Sequence, residues 1–283
     1  MSLHGSVQEA LSLDGERLAK ALALDPASAR VEIQYLLQQV LQASRARLLA
    51  YPDYILQASE RLHYQELLQR RLAGEPVAYI LGEREFYGLK LKVTPATLIP
   101  RPETELLVEL ALGRLPQGGR VLDLGTGCGA IALSIAHVRP DVDVTAVDAS
   151  TQALEVAQEN ANQLKLRNVH CLRSEWFSAL AGERFDLIVS NPPYIAEDDL
   201  HLQQGDLRFE PRSALASGAD GLDDIRIIIR QAKDYLVPGG WLLFEHGYDQ
   251  ASRARELLQA GGFNAVFSAC DLAGIERASG GAA

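Results

Sequence analysis

The sequence has few cysteines, and those it has are scattered. Among its 283 residues only Cys128, Cys171 and Cys270 are cysteines, and no two of them form a Cys-x-x-Cys pair. This arrangement argues against a disulfide framework and against a zinc site built from cysteine pairs. We therefore expect no metal site, and the cysteine usage favours a reducing cytoplasm.

Signals for secretion and membrane insertion are also missing from the sequence. The N-terminus has no apolar core after a basic start, which a signal peptide would need. No apolar run approaches the length that spans a bilayer. We therefore expect a soluble cytoplasmic protein with no membrane partner.

The chain has no excess of positive charge. Its formal net charge is −10. An acidic surface repels phosphate backbones, so no direct nucleic-acid grip is expected without a local basic patch. With 47% hydrophobic and 23% charged residues, the composition is that of a globular protein long enough for one large domain and a small one.

Residues 1–75 are predicted to form a helical N-terminal domain. Apolar residues recur there at helical spacing, and Asp25-Pro26 and Tyr51-Pro52 mark turns or helix starts. This part of the chain has no cluster of catalytic-looking residues. The sequence leaves open whether the domain docks a partner or only stabilises the rest of the protein.

Residues 76–103 are interpreted as a β-hairpin linker between domains. Segments 79–82 and 86–93 have the pattern of two short strands with glycines at the bends. Pro100 and Pro102 stiffen the stretch that follows, and Thr104 is expected to cap the next helix. Whether Arg101 and Glu105 line a site or only face solvent stays open.

Residues 104–283 are predicted to form an α/β domain in which strands and helices alternate. Strands are predicted at 121–124, 142–147, 168–172, 185–189 and 240–244, and helices at 105–115, 130–138, 152–164, 223–236 and 251–260. This order predicts a doubly wound parallel sheet with right-handed crossovers. Two weak strands, 264–268 and 275–278, are expected to close it as an antiparallel hairpin.

A glycine-rich loop follows the first of these strands. Gly125, Gly127 and Gly129 let the backbone turn sharply and approach a ligand closely. Asp148 ends the next strand, 23 residues after Gly125, where a carboxylate accepts from the two hydroxyls of a ribose. Because Gly125-x-Gly127-x-x-Ala130 also fits the looser dinucleotide fingerprint, a dehydrogenase is a competing interpretation.

Asp123 argues against a dinucleotide at this loop. A buried carboxylate two residues before the loop would repel a pyrophosphate in a cleft of low dielectric. The same carboxylate suits S-adenosylmethionine, which has a ribose, an adenine and an ammonium group but no phosphate. Trp176 follows the third strand and is expected either to pack against the adenine or to belong to the core.

A second polar bend follows the strand predicted at 185–189. The segment Asn191-Pro192-Pro193-Tyr194 cannot continue a strand ladder, because its prolines lack N–H groups. The residue before a proline is held extended. We therefore expect a stiff loop at the carboxyl edge of the sheet, which is where α/β proteins bind ligands.

The two motifs together resemble the seven-stranded S-adenosylmethionine-dependent methyltransferases that act on planar amino nitrogens. Residues 123–129 read Asp-Leu-Gly-Thr-Gly-Cys-Gly, and residues 191–194 read Asn-Pro-Pro-Tyr. Segments 99–105, 174–177 and 201–211 narrow the resemblance to the bacterial protein-(glutamine-N5) methyltransferases of peptide chain release factors. It covers nearly the whole chain and implies a Rossmann-like methyltransferase sheet of seven strands, with a small helical N-terminal domain and a β-hairpin linker.

The resemblance also implies the roles of individual residues. The cofactor, S-adenosyl-L-methionine, is expected to contact Gly125, Thr126, Gly127, Cys128, Gly129, Asp148 and Trp176, to which the strand-end residues Asp123 and Asn191 are added. Residues 191–194 are expected to hold the substrate glutamine, which lies in the Gly-Gly-Gln loop of class I release factors. Two departures from the family pattern are visible. Glu175 stands where Asp is more frequent, and residues 274–283 are less apolar than a usual last strand, so a frayed edge is expected there.

Asn191 and Pro192 are the expected catalytic residues. The Asn191 side-chain oxygen and the Pro192 carbonyl would each accept one N–H of the substrate amide, which is a poor nucleophile because its lone pair is delocalised. Tyr194 would pack on the flat amide. Two alternatives stay open: an amino-methyltransferase of nucleic-acid bases, acting on adenine N6 or guanine N2, and a non-enzymatic or dinucleotide-binding module.

Overall fold

The structure is a computed structural model that describes residues 5–283. The chain divides into two compact units, Met1–Gly82 and Glu83–Ala283. The first four residues of the expected helical domain lie outside the described residues. Within residues 5–283, no helix is both long and apolar enough to cross a membrane.

The secondary-structure elements of the first unit are helices. Its α-helices are α1 (Val7–Glu9), α2 (Gly15–Leu22), α3 (Pro26–Leu41), α4 (Arg45–Ala50), α5 (Ala58–Leu72) and α6 (Val77–Leu81), and a π-helical turn (Ala10–Asp14) joins the first two. Asp25 caps α3 by accepting from Ser28 N at 2.9 Å, and Pro26 occupies the first turn, where its missing N–H is harmless. Fully buried Leu18, Ile33 and Leu36 centre the core of this unit.

The strand expected at residues 79–82 is wrong, because Val77–Leu81 is the helix α6. A short apolar run does not distinguish a buried helix from a strand, and here Ala78, Tyr79 and Ile80 are all buried. The hairpin begins later, with β1 (Glu83–Phe86) pairing with β2 (Leu89–Lys92). Tyr87 and Gly88, at φ 51° and 73°, form the tight turn, which has the two positive φ angles that a two-residue hairpin requires.

The second unit also contains the predicted seven-stranded sheet. Its strands are β3 (Arg120–Leu124), β4 (Asp143–Asp148), β5 (Val169–Arg173), β6 (Phe185–Ser190), β7 (Leu236–Glu245), β8 (Asn264–Cys270) and β9 (Glu276–Ala282), in the spatial order β5-β4-β3-β6-β7-β9-β8. The first five run parallel, and β9 is antiparallel to both of its neighbours. The α-helices of this unit are α7 (Glu105–Leu112), α8 (Ala130–Val138), α9 (Thr151–Gln163), α10 (Asp223–Ala232) and α11 (Ala251–Ala260).

The expected fraying at the C-terminal end is wrong. Strand β9 is paired on both sides, and residues 278–281 are buried. Its glycines are required by close approach, because a Cβ on Gly280 would lie 2.5 Å from Leu243 Cδ2 and 2.6 Å from the Leu242 carbonyl oxygen. The low apolar content of this strand therefore reflects tight packing, which a sequence pattern of hydrophobicity does not register.

The sheet order brings the candidate site residues together. Strands β4, β3 and β6 are adjacent and parallel, so their carboxyl ends lie side by side. The glycine loop leaves β3, Asp148 ends β4, and Asn191 directly follows β6. All three therefore meet at one edge of the sheet, next to the reversal of strand order where α/β folds bind ligands.

Candidate active site

The glycine loop is tied to the end of strand β4 by its own amides. Gly125 N and Thr126 N both donate to the Val147 carbonyl at 2.9 Å. Gly127 N donates to Asp148 Oδ2 at 2.9 Å. These three N–H groups are therefore engaged inside the protein, and they are not available as the cluster of free donors that binds a phosphate.

Asp148 holds the loop and also lines the cavity beside it. Besides Gly127 N, its carboxylate accepts from Ser150 N through Oδ1 at 2.8 Å. Burial raises the pKa of Asp148, while the hydrogen bonds from Ser150 and Gly127 oppose the rise. These hydrogen bonds fix the orientation of the carboxylate. Its other lone pairs lie at the cavity wall and can accept further hydrogen bonds.

Asp123 lies under the loop and does not line the cavity. Its Oδ2 accepts from Thr126 Oγ1 at 2.7 Å and from Ala132 N at 3.2 Å, and its side chain is fully buried. Burial raises its pKa to about 7. Within residues 5–283, Oδ1 has no hydrogen-bond partner. This placement differs from the expectation that Asp123 meets a ligand's ammonium group, because its contacts are with the loop itself.

Trp176 both lines the cavity and packs against the core, and its packing on an adenine stays a prediction. Its ring atom Cζ3 lies 3.7 Å from the point where a Cβ on Gly125 would stand. Its backbone is left-handed, at φ 48°. Ser174 fixes this turn, because its hydroxyl donates to the Trp176 carbonyl at 2.8 Å.

The Asn-Pro-Pro-Tyr segment presents one amide to the cavity. Asn191 and Pro193 line it, whereas Pro192 is buried and Tyr194 is half-buried, and neither of these two lines the cavity. Asn191 Nδ2 donates to Thr104 Oγ1 at 3.2 Å. Within the described chain no donor reaches Asn191 Oδ1 or the Pro192 carbonyl, so both remain acceptors.

Tyr194 is anchored away from the cavity. Its hydroxyl donates to Glu245 Oε1 at 3.1 Å. Its carbonyl accepts from Gln250 Nε2 at 2.9 Å. The ring packs against the core. This packing and the two hydrogen bonds fix the conformation of residues 191–194. The expected stacking of Tyr194 on a flat amide stays a prediction.

Two residues beside the candidate site were missed or misread in the sequence. Thr104 was expected to cap helix α7, but its side chain makes no cap hydrogen bond and instead accepts from Asn191. Glu245 was not singled out, although it is a buried carboxyl at the end of strand β7. A polar residue at the carboxyl end of a parallel strand was the available signal.

The residues left open by the sequence take different positions. Glu175 lines the cavity. Arg101 forms an ion pair with the buried Glu210, whose other oxygen accepts from Ile99 N at 3.0 Å. Glu105 accepts from Tyr87 N at 2.9 Å. Pro100 and Pro211 both line the cavity. The Arg101–Glu210 pair therefore joins the two segments that contain these prolines.

The cavity at this edge has a volume of about 490 Å³, which is within the range of small-molecule pockets. No Lys or Arg belongs to its lining, whereas three acidic residues do. The lining includes residues 95–98, 125–128, 148–150 and 174–176, together with Pro100, Thr104, Asn191, Pro193, Pro211, Ser213, Ala214 and Asp224. A wall of this charge suits a ligand without phosphates.

Models of known protein families match segments in both units of the chain. The family model for the "Methyltransferase small domain" matches residues 102–209, and that for the "PrmC N-terminal domain" matches residues 16–82. The chain is 53% identical to the release factor glutamine methyltransferase of Bordetella pertussis, with 93% of this chain and 98% of the relative covered. For the enzyme of the same name from Vibrio cholerae the values are 49%, 96% and 95%.

Solved structures share the fold at lower identity. A methyltransferase from Pyrococcus furiosus is 20% identical with a TM-score of 0.54, covering 77% of this chain and 98% of that one. The human Mettl16 catalytic domain, solved with an RNA hairpin, is 19% identical with a TM-score of 0.55, covering 76% and 81%. At these identities the likeness establishes the methyltransferase fold alone.

Proposed function

Since the chain belongs to the family of release factor glutamine methyltransferases, we propose that it methylates the side-chain amide N5 of a glutamine. The methyl donor is S-adenosylmethionine, and the glutamine lies in the Gly-Gly-Gln loop of class I peptide chain release factors. Because release factors work in translation, the proposed reaction belongs to the cytoplasm. The observation that carries the proposal is Asn191, which lines the cavity with a free side-chain oxygen beside the glycine loop.

The residues at the glycine loop fit this donor. A Cβ on Gly127 would meet no atom within 4 Å, so the loop leaves open space at that point. Asp148 would accept from ribose hydroxyls, and Trp176 would cover the adenine. Gly125, Thr126 and Cys128 would complete the wall, with Gly129 and Asp123 supporting it from below. When bound there, S-adenosylmethionine supplies an electrophilic methyl group on a sulfonium.

The rest of the chemistry is positioning by this chain's own residues. Asn191 Oδ1 accepts one N–H of the substrate amide and so turns its lone pair toward the methyl carbon. The Pro192 carbonyl, which was expected to accept the other N–H, belongs to a buried residue that does not line the cavity. Pro193 and the anchored Tyr194 keep the bend rigid. Holding two reactants in attack geometry is worth several kcal/mol. The amide proton is released to solvent as the methyl group is transferred.

The acidic cavity disfavours the two alternative functions. A nucleic-acid methyltransferase needs a basic groove for phosphates, and the cavity lining has no Lys or Arg. A dinucleotide needs free loop amides, and those of Gly125, Thr126 and Gly127 are engaged with strand β4. The cavity therefore favours a nucleoside without phosphates.

Incubation with methyl-labelled S-adenosylmethionine tests the proposal. A class I release factor, the same factor with its Gly-Gly-Gln glutamine changed to alanine, and total RNA serve as parallel acceptors. We expect label only in the unaltered release factor. Label in the RNA, or in the alanine-substituted factor, would contradict the proposal, as would cofactor binding that NAD displaces.

A further inference from the structure

The carboxylate of Glu210 joins two segments of the cavity wall. Arg101 Nη2 donates to Glu210 Oε1, and Ile99 N donates to Glu210 Oε2 at 3.0 Å. Pro100 and Pro211, the immediate neighbours of these residues, both line the cavity. Since Arg101 and Glu210 are 109 positions apart, one side chain connects walls that come from distant parts of the sequence.

Few other hydrogen bonds fix the backbone of residues 98–101. These residues belong to no helix or strand. Within residues 5–283, Glu210 is the one partner outside this segment to which they donate a hydrogen bond. On their C-terminal side, the Arg101 carbonyl accepts from Thr104 N at 3.1 Å and so starts the turn that follows. The position of this wall therefore depends on the Glu210 carboxylate.

The same turn brings Thr104 to Asn191. Thr104 Oγ1 accepts from Asn191 Nδ2 at 3.2 Å, and Thr104 is only 4% exposed, so water does not compete for this bond. With the NH₂ group engaged, Oδ1 is the end of the amide that is left for the cavity. A shift of the turn would therefore displace or release the Asn191 amide.

We propose that Arg101 and Glu210 are positioning residues for methyl transfer, which hold the turn that contains Thr104 and thereby place the Asn191 amide. The inference rests on the proposed function, in which the Asn191 oxygen accepts from the substrate amide. Neither Arg101 nor Glu210 lines the cavity, so both act through the residues that they hold. A displacement of about 1 Å at a reacting group can cost a factor of 100 in rate.

The burial of this ion pair argues against a role in stability alone. The Glu210 side chain is 0% exposed and that of Arg101 is 30% exposed. Burial raises the pKa of Glu210, while Arg101 and the Ile99 amide oppose the rise. A buried ion pair adds little net stability over apolar groups of similar volume, because both charges lose their water. What the pair provides beyond apolar packing is direction, since two carboxylate oxygens accept from two separate donors.

The decisive experiment separates direction from stability with variants of the full-length protein and a release factor as substrate. Arg101→Met leaves the Glu210 charge buried without its partner, so it should lower the thermal midpoint and reduce kcat at least about tenfold. Arg101→Met combined with Glu210→Met replaces the pair by apolar groups, so the midpoint should recover while kcat stays reduced. Because one nitrogen of Arg101 makes the contact, Arg101→Lys can supply the same donor and should keep kcat within about threefold of wild type.

Two measurements keep the comparison valid for partly unfolded preparations. Calorimetric titration with S-adenosylmethionine gives both the Kd and the fraction of protein that binds, and kcat is expressed per binding site. The Kd should stay within about threefold of wild type, because the hydrogen bonds that hold Gly127 and Asp148 do not involve this pair. Arg253→Met is the control: Arg253 forms an exposed ion pair with Glu256 at 3.2 Å, and its loss should change neither kcat nor Kd.

The outcomes separate this inference from the proposed function. If the wild-type protein transfers no methyl group to a release factor, the proposed function fails, and the inference fails with it. If it does transfer, but kcat recovers together with the midpoint in the double variant, or Arg101→Lys is as slow as Arg101→Met, the positioning role is wrong. A loss of cofactor affinity in proportion to kcat would also contradict it. A reduced kcat per binding site at near wild-type Kd, restored by Arg101→Lys, supports it.

Discussion

Asp148 Oδ2 accepts a hydrogen bond of 2.9 Å from Gly127 N, and this bond joins the end of strand β4 to the middle of the glycine loop. The same carboxylate accepts from Ser150 N at the start of helix α9. One side chain therefore holds the loop at Gly127, is itself oriented at the cavity wall and keeps the Gly127 amide from binding phosphate. The pocket is shaped before any ligand arrives, which lowers the cost of binding.

Substitution Asp148→Asn should weaken binding of S-adenosylmethionine at least about tenfold. The carboxylate meets two backbone donors, and the asparagine NH₂ group would face one of them as a second donor. Hydrogen bonds to charged groups are worth about 1.5–3 kcal/mol, and 1.4 kcal/mol is a factor of ten in affinity. Isothermal titration calorimetry measures the change in Kd.

Asp141→Asn is the matched control for this prediction. Asp141 is an exposed aspartate that forms an ion pair with Arg139 at 2.7 Å and does not line the cavity. Its substitution removes the same charge and should leave the Kd unchanged. Equal affinities for the two variants would show that Asp148 does not hold the nucleoside.

Substitution Asn191→Ala should reduce methyl transfer at least about 100-fold while cofactor affinity stays near wild type. The change removes the acceptor Oδ1 and leaves the glycine loop intact. Misplacement of a reacting group by about 1 Å can cost a factor of 100. Labelled-methyl transfer gives the rate, and calorimetry gives the Kd.

Asn162→Ala provides the control for Asn191, because Asn162 is an exposed residue of helix α9 whose side chain bonds only Gln158 among the described residues. It should leave both quantities unchanged. If Asn191→Ala instead lost cofactor affinity in proportion to rate, Asn191 would belong to the cofactor pocket and its role toward the substrate amide would be wrong.

Local sequence patterns predicted most of the second unit correctly. Helix 130–138 and helix 251–260 appear with the expected bounds, and the five parallel strands lie within a few residues of theirs, except that β7 begins earlier. These elements have apolar residues at regular periods and clear breakers at their ends. The glycine loop, Asp148 and Asn191 could be grouped because parallel strands share one carboxyl edge.

The missed features depend on contacts between residues distant in sequence. Thr104 and Asn191 are 87 positions apart, and only the folded chain brings the hydroxyl to the amide. In the sequence alone, Thr104 before a helix has the pattern of a cap. Strand β9 was underestimated because its glycines pack against Leu242 and Leu243 of strand β7, and such packing has no hydrophobic signature.

Substitution Gly280→Ala should lower the stability of the second unit by about 1–3 kcal/mol, as overpacking of a core does. The new methyl group would overlap the Leu242 carbonyl oxygen, a backbone atom that cannot move away as a side-chain end can. Gly113→Ala is the control, since its nearest neighbour would be 3.6 Å away and its φ is −70°. Circular dichroism melting compares them, and a Gly280→Ala midpoint equal to that of Gly113→Ala would contradict the packing argument.

Substitution Asp123→Asn should change how stability depends on pH. Burial raises the pKa of Asp123 to about 7 in the folded protein, above its value of about 3.9 in the unfolded chain. Between these values the folded state retains a proton that the unfolded state loses, so this aspartate costs stability as the pH rises. The cost grows by at most about 1.4 kcal/mol per pH unit and levels off above about pH 7.

The neutral asparagine removes this cost, because it does not titrate in that range. The difference in unfolding free energy, variant minus wild type, should therefore become more positive from pH 4 to 7. Other titrating groups, including Asp148, act in both proteins and largely cancel in the difference. Urea unfolding at several pH values measures it. A difference that stays constant across this range would mean that Asp123 is ionised in the folded protein, and that the buried Oδ1 carries a charge which the structure leaves unpaired.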